Sequence, residues 1–253
     1  MKLFDGGEVA LVTGGSRGIG AAAAKVLGAE GVHVIVNYRS DDEGARLVVK
    51  EIVAAGGSAE VAQADVADEA AVKSIFRGIR AEHGRLDVLV ASAGITADGF
   101  GLVMSEAKFE RVVRTNLVGT FLCNREALKI MTRARSGAIV NVSSVSGVVG
   151  WEGQANYAAS KAGIIAMSKS LAREVAPDGV RVNVIAPGLV DTDMIRTIPK
   201  AQRDLFLHCI GLGRIAEPAE IASSIAFLAS PRSSYTTGTA QLIDGGLARH
   251  YLA

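Results

Sequence analysis

The chain has 253 residues, 49% of them hydrophobic, enough for a large core in one domain spanning residues 1–253. A formal net charge of +1 leaves no basic field for nucleic acid or an anionic membrane surface. No apolar run reaches the roughly 18 residues that span a bilayer, and the first ten residues, which include Asp5 and Glu8, lack a signal-peptide core, so a cytoplasmic protein is expected.

Apolar, β-branched runs alternate with helical patterns from one end to the other. The strands are expected at 8–12, 32–38, 59–63, 87–92, 138–143, 180–186 and 239–243. The helices are expected near 18–30, 42–56, 68–83, 105–134, 155–176 and 217–230. Such alternation is the pattern of βαβ units, a parallel sheet covered on both faces. The fold class is therefore α/β, a doubly wound Rossmann-type sheet of about seven strands. One segment departs from the pattern. Residues 190–214 follow a Pro-Gly turn, contain Pro199, and sit at the carboxyl edge of the sheet, where an insertion serves as a substrate lid.

The first strand, Glu8–Val12, runs into Thr13-Gly14-Gly15-Ser16-Arg17-Gly18-Ile19-Gly20 and then into the Ala-rich stretch Ala21–Glu30. Strand, glycine turn and helix together aim backbone N–H groups and a helix N-terminus at a diphosphate. Glycines at 14, 18 and 20 allow the tight turn and close ligand approach.

Tyr157 and Lys161 stand four residues apart, so on a helix they share a face. Ser144 lies upstream at the end of a strand, where open α/β sheets bind ligands. Its neighbours Ser143 and Ser146 are alternative hydroxyls. A free phenol titrates near pH ~10, and an ammonium at about 4 Å lowers that by roughly three units at an effective dielectric near ~20. The tyrosine would then be poised near neutrality as an acid or base. Asn116 is expected in mid-helix, a poor place for asparagine unless its side chain has a task. A Tyr-x-x-x-Lys pair alone arises by chance in roughly one such chain in seven, so the nucleotide-binding turn is needed to give it meaning.

Cys123 and Cys209 form no C-x-x-C motif, and no Cys/His cluster has metal-ligand spacing, so no metal is expected. His33 falls inside an apolar strand and reads as structural, while His208 falls within the lid segment.

The Thr13–Gly20 turn, Asn116, Ser144, Tyr157 and Lys161 together resemble the cofactor motif and the Asn-Ser-Tyr-Lys set of the short-chain dehydrogenases/reductases. Asp65-Val66, Pro187-Gly188 and Asp244-Gly245-Gly246 match lesser motifs of that family. Within it, Gly153–Lys161, Ser170–Val175, Ala186–Met194 and Gly94–Asp98 are most similar to bacterial 3-oxoacyl-[acyl-carrier-protein] reductases of fatty acid biosynthesis. The resemblance implies catalytic roles for Asn116, Ser144, Tyr157 and Lys161. Asn116 would hold a water leading to Lys161, and Lys161 would also bind the nicotinamide ribose. It implies cofactor contacts at Gly14, Ser16, Arg17, Gly18, Ile19, Gly20, Arg39, Ser40, Asp65, Val66, Ala93, Gly94, Tyr157, Lys161, Pro187, Gly188, Val190 and Thr192. It also implies a homotetramer.

Cofactor choice turns on the end of the second strand. An acid there would bind the ribose 2′-hydroxyl of NAD, but Asn37 and Tyr38 are followed by Arg39 and Ser40. Arg39 suits a 2′-phosphate, with Arg17 assisting, so NADPH is expected. Asp41 and Asp42 are expected to start the next helix, and NAD would be preferred if either curled back. The family's Asn-Asn-Ala-Gly is here Ala91-Ser92-Ala93-Gly94, which removes an amide that supports the sheet. For docking an acidic acyl carrier protein, Arg135 matches a basic position of the related reductases, whereas Asp178 stands where they carry arginine. The expected reaction is reduction of a 3-oxoacyl thioester. The alternatives are oxidation of a sugar, steroid or other secondary alcohol, and a non-catalytic nucleotide sensor.

Overall fold

The computed structural model describes residues 2–196 and 206–249, and the side chain of residue 196 lies outside that description. Seven parallel strands form one sheet: β1 (Val9–Thr13), β2 (His33–Tyr38), β3 (Ser58–Gln63), β4 (Val88–Ala91), β5 (Gly137–Val142), β6 (Val180–Pro187) and β7 (Ala240–Ile243). Their order is β3-β2-β1-β4-β5-β6-β7. The chain winds outward from β1, then crosses to β4 on the other side of β1, where the carboxyl ends of the strands diverge into a crevice. The strand positions agree with the sequence expectations to within two residues.

The central strands are buried on both faces, which is why they read as continuous apolar runs rather than alternating ones. Edge strand β3 instead carries exposed Ser58 and Gln63 and partly exposed Glu60. Alternate residues of β1 supply the two cores. Ala10 and Val12 pack with helices α1 (Gly18–Ala29) and α2 (Asp42–Ala54) and with the helix Pro218–Ala229. Val9 and Leu11 pack on the opposite side with helices Glu69–Glu82, Gly119–Ala134 and Ala155–Val175. Each fully buried leucine or isoleucine contributes about 1.5–3 kcal/mol.

In chain order the remaining helices are α3 (Glu69–Glu82), α4 (Glu106–Val113), α5 (Gly119–Ala134), α6 (Ser146–Val149), α7 (Ala155–Val175), α8 (Asp193–Arg196) and α9 (Pro218–Ala229). The long helix expected over 105–134 runs unbroken from 106 to 134, with a π-helical turn, Arg114–Val118, between its α-helical parts α4 and α5. Such turns concentrate at functional sites, because they re-aim side chains within a helix.

The helix N-termini divide into two kinds. Asp41 caps α2, Asp68 caps α3, and Ser105 caps α4 through side-chain oxygens. Helix α1 has no side-chain cap and no acid in its first turn. Its N-terminus, reached directly from the carboxyl end of β1, therefore keeps backbone donors available to an external anion.

Candidate active site

Lys161, Asn116 and Ser144 are brought together from three elements at the carboxyl edge of the sheet, beneath the loop that follows β4. Lys161 is 4% exposed and Asn116 is fully buried. The Lys161 Nζ donates to the Val142 carbonyl at 2.8 Å. It lies 5.6 Å from the centre of the Tyr157 ring, one helical turn away on α7. Ser144, just beyond β5, faces the Tyr157 hydroxyl closely enough to lower its pKa. It also accepts from the Ser146 N–H at 3.1 Å, which fixes its direction.

The neighbouring serines are committed elsewhere. Ser143 donates to the Lys161 carbonyl at 2.8 Å, and Ser146 donates to Gln154 Oε1 at 3.0 Å. Of the three hydroxyls, the one at 144 faces the phenol.

Burial pushes Tyr157 up to about 12; the Ser144 hydroxyl pulls it back, and the Asp98 carboxylate pushes the same way as burial. The residue as a whole is only partly buried, so water softens the rise. Burial brings Lys161 down to about 8. The phenol is thus held as an acid across the neutral range, rather than poised near neutrality as the spacing with Lys161 suggests. The sequence pattern shows the attractive charge but not the desolvation that opposes it.

Asn116 lies in the π-helical turn, not in regular helix. Its Oδ1 accepts from Ile95 N–H at 2.8 Å, and its Nδ2 donates to the Ile95 carbonyl at 3.0 Å and to Ser160 Oγ at 3.1 Å. The side chain therefore clamps the loop after β4 onto α7. A methyl group on Gly94 would come within 3.3 Å of Asn116 Oδ1 and 3.5 Å of Lys161 Nζ, so both line one small space.

Several residues that build this site carried no clear signal in the sequence. Gln154 Nε2 donates to Asp98 Oδ2 at 3.1 Å, completing a chain of bonds from Ser146 across the cleft mouth. Asn156 Nδ2 donates to the Ala97 carbonyl at 2.8 Å, and Lys108 Nζ donates to the Asp98 carbonyl. Thr13 Oγ1 accepts from Ser92 and Ala93 N–H at 3.1 and 3.2 Å. That hydroxyl ties β1 to the end of β4, where the exchange of Asn for Ser92 had removed an amide.

The glycine turn lies beside this cluster. Gly14 adopts φ +63°, and a Cβ there would sit 2.8 Å from Ala93 Cα. A Cβ on Gly20 would be 2.2 Å from the Gly14 carbonyl oxygen, so the turn closes only without side chains. Thr192 packs its methyl 3.2 Å from the position of a Cβ on Gly18. Ser16 and Ile19 are half-buried, and Arg17 reaches outward, 3.9 Å from Asp193. Val190 is buried and pairs through a β-bridge with Ala216. Pro187 accepts from Val145 N–H at 2.8 Å, and Gly188 donates to Ile243 at 2.9 Å, so the end of β6 is fixed against both neighbours.

At the end of β2, Asn37 is buried and donates to the Ala62 and Ala64 carbonyls at 3.0 and 3.2 Å. Asp41 accepts from Gly44 N–H as the cap of α2, and Asp42 accepts from the Tyr38 hydroxyl and from Arg46. Both acids are thus used inside α2, as expected. Ser40 is exposed. Arg39 is 59% exposed and touches Asp65 only loosely, at 3.9 Å. Asp65 accepts from Ala67 N–H at 2.9 Å, next to buried Val66.

A family model described as enoyl-(acyl carrier protein) reductase matches residues 14–248. The chain is also similar over nearly its full length to curated proteins. It is 45% identical to 3-oxoacyl-[acyl-carrier-protein] reductase FabG of Staphylococcus aureus (strain Mu50), over 94% of this chain and 97% of that one. It is 44% identical to the 3-oxoacyl-[acyl-carrier-protein] reductase of a Synechocystis species, over 95% and 96%. It is 43% identical to FabG of Salmonella typhimurium, over 95% and 97%. This chain belongs to the short-chain dehydrogenase/reductase family. It is an oxidoreductase of the 3-oxoacyl-[acyl-carrier-protein] reductase type.

The family implies a nicotinamide cofactor. The residues present fit one. The uncapped α1 N-terminus and the glycine turn offer backbone donors to a diphosphate, and Gly94 leaves space beside Lys161 and Asn116. Among the described residues no helix is long and apolar enough to cross a membrane. Cys123 is buried, which pushes its thiol up to about 12 and leaves it inert as a nucleophile.

Proposed function

We propose that this enzyme reduces the ketone of a 3-oxoacyl thioester to the 3-hydroxyacyl thioester, using NADPH. The observation that carries the reading is Ser144 facing the Tyr157 hydroxyl beside buried Lys161, at the carboxyl edge of the sheet. The nicotinamide, when bound, supplies the hydride. Ser144 and Tyr157 direct their hydroxyls at one substrate oxygen. As negative charge grows on that oxygen, Tyr157 delivers its proton there, and Ser144 steadies the forming alkoxide. Lys161 favours the tyrosinate left behind and binds the cofactor ribose. Asn116 shapes the small space beside Lys161 through which a water can refill the proton.

Several features support the substrate class. Val145, Val149, Trp151, Leu189, Leu207, Ile210 and Leu247 form an apolar cluster beside Ser144, suited to an acyl chain. Trp151 meets Phe206 edge-on at 5.0 Å, joining that cluster to the segment expected to be a lid. Residues 197–205 of that segment lie outside the described residues. Its two ends are held side by side by the Val190–Ala216 bridge, the arrangement a hinged lid needs. The curated relatives carry the 3-oxoacyl name, whereas the family model carries the enoyl name.

Preference for NADPH rests on Arg39, exposed and loosely held, and on the two acids spent within α2. Carrier docking rests on Arg135, whose Nη1 donates to Asp178 at 3.2 Å and whose Nη2 donates to the Pro177 carbonyl at 2.7 Å. The acid partly cancels the one basic residue matched to docking, so the carrier-bound substrate should hold a small advantage over other thioesters. A homotetramer in the cytoplasm completes the reading. Half-exposed Phe121 on α5 and Leu242 on edge strand β7 support the assembly, since each offers apolar surface to a second copy.

The test is NADPH consumption with a 3-oxoacyl thioester, beside a 2-enoyl thioester, a sugar and a steroid ketone. Turnover of the 3-oxoacyl substrate at least tenfold above the others is expected. Good activity on a sugar or steroid with none on any thioester would overturn the substrate class.

A further inference from the structure

His33 begins β2, Glu60 lies within edge strand β3, and His83 caps the C-terminus of α3. The parallel register sets His33 beside Ser58 and Ile35 beside Glu60, so all four face one side of the sheet. That side is the one α3 covers, because Ile35 packs with Val72, Phe76 and Ile79. The end of α3 therefore delivers His83 to the same point. His83 Nε2 is 2.9 Å from Glu60 Oε1, and His33 Nε2 is 3.8 Å from it. The three atoms all lie within 4.8 Å of one another. The two imidazole rings are 4.8 Å apart and tilted by 41°.

His33 decides the matter. Its Nδ1 is 2.7 Å from Ser58 Oγ, which holds the ring in place and leaves Nε2 pointing inward. Among the described residues, His33 Nε2 is the buried side-chain nitrogen with no hydrogen-bond partner. Leaving such a group unsatisfied costs about 1–3 kcal/mol. A cation between Nε2 and the carboxylate would remove that cost. Two imidazole nitrogens, one carboxylate and a position open to water form a donor set for zinc-class ions. Glu60 is 40% exposed on its side chain, so water can complete the shell.

We propose that His33, Glu60 and His83 bind one divalent transition-metal ion of the zinc class, at a site separate from the catalytic cleft. His33 and Arg39 stand at opposite ends of β2, about 20 Å apart at the rise of an extended strand. A tetrahedral shell with bonds of ~2.0–2.1 Å has ligand-to-ligand edges of about 3.4 Å. The 3.8 Å contact needs to close slightly, the 2.9 Å contact to open, and the two imidazole nitrogens, within 4.8 Å of each other, to close by up to about 1.4 Å, which side-chain rotations achieve. The ion would staple edge strand β3 and α3 to β2. The ligands are drawn from three elements far apart in the chain, so the sequence shows no metal-ligand spacing.

Untagged, metal-stripped enzyme is titrated with Zn²⁺ in a calorimeter and with Co²⁺ as an optical probe, and unfolded thermally with and without Zn²⁺. One ion per chain, a Zn²⁺-dependent rise in Tm and a visible Co²⁺ band of a low-coordinate site are expected. Glu60→Gln and His83→Gln should each weaken binding at least tenfold and leave NADPH affinity unchanged. A second readout avoids variants: Zn²⁺ should slow acylation of His33 and His83 by diethylpyrocarbonate, but not that of exposed His208. No saturable binding, equal binding in both variants, or acylation unaffected by Zn²⁺ would overturn the proposal. So would stabilisation by mild acid alone, which would mark a proton site instead.

Discussion

Replacing Lys161 with methionine removes one buried charge and little volume, and its effect follows from two numbers. The ammonium lies 5.6 Å from the Tyr157 ring centre. At an effective dielectric near ~20, unit charges at that separation interact by about 3 kcal/mol, or roughly two pKa units. Burial is the largest cause that pushes the phenol up to about 12, and burial brings the ammonium down to about 8. Below pH 8 the lysine is charged and opposes part of the rise that burial imposes on Tyr157. Above it the lysine is neutral, and the phenol reverts to the weaker acid. Ketone reduction in the unmutated enzyme should therefore fall as pH rises through about 8. The limb belongs to the coupled pair rather than to either group. Lys161→Met should be slower at pH 7 by roughly ten- to a hundredfold, with a profile that is flat through that limb. The Val142 carbonyl loses its partner, at about 1–3 kcal/mol, offset by the buried charge that is no longer present. The assay is initial-rate kcat against pH, with saturating NADPH and a small 3-oxoacyl thioester. A limb near pH 8 that persists in Lys161→Met would refute the coupling.

Tyr157→Phe should lower kcat at least ~100-fold while cofactor binding and the far-ultraviolet spectrum stay normal; near-normal turnover would remove the tyrosine from the mechanism. Arg39→Ala should raise the KM for NADPH roughly tenfold or more and leave that for NADH little changed, since a charge-assisted bond to phosphate is worth about 1.5–3 kcal/mol. Equal losses with both cofactors would make Arg39 structural. Asp178→Asn frees the Arg135 guanidinium, so kcat/KM for a carrier-bound substrate should rise several-fold at low salt, with no gain for the coenzyme A thioester. A gain on both substrates, or one that survives high salt, would show that docking is not what Asp178 limits.

Local patterns made most of the fold legible. Short, β-branched apolar runs bounded by turns read as strands covered on both faces, and the Ala-rich stretch after the glycine turn reads as a helix packed closely on them. The start of α2 was also readable, because Asp41 precedes a helical pattern and caps it as such residues do. The Tyr157–Lys161 spacing marked one face of α7, and the fixed upstream serine marked the end of β5.

Other features depended on what surrounds each residue. Asn116 looked like an oddity in a long helix; it sits in a π-helical turn whose side chain clamps Ile95, a partner from another element. The choice among Ser143, Ser144 and Ser146 needed the partners that occupy the other two. Spacing predicted a tyrosine pulled toward neutrality, but desolvation prevails, and desolvation depends on the packing around the phenol. His33, Glu60 and His83 converge only because β2 and β3 pair in one register and α3 ends above them. Periodicity, caps and short spacings are local and were fixed by the sequence itself. Burial, long-range partners and the meeting of distant side chains arise only when the sheet closes, and they were decided by the tertiary structure.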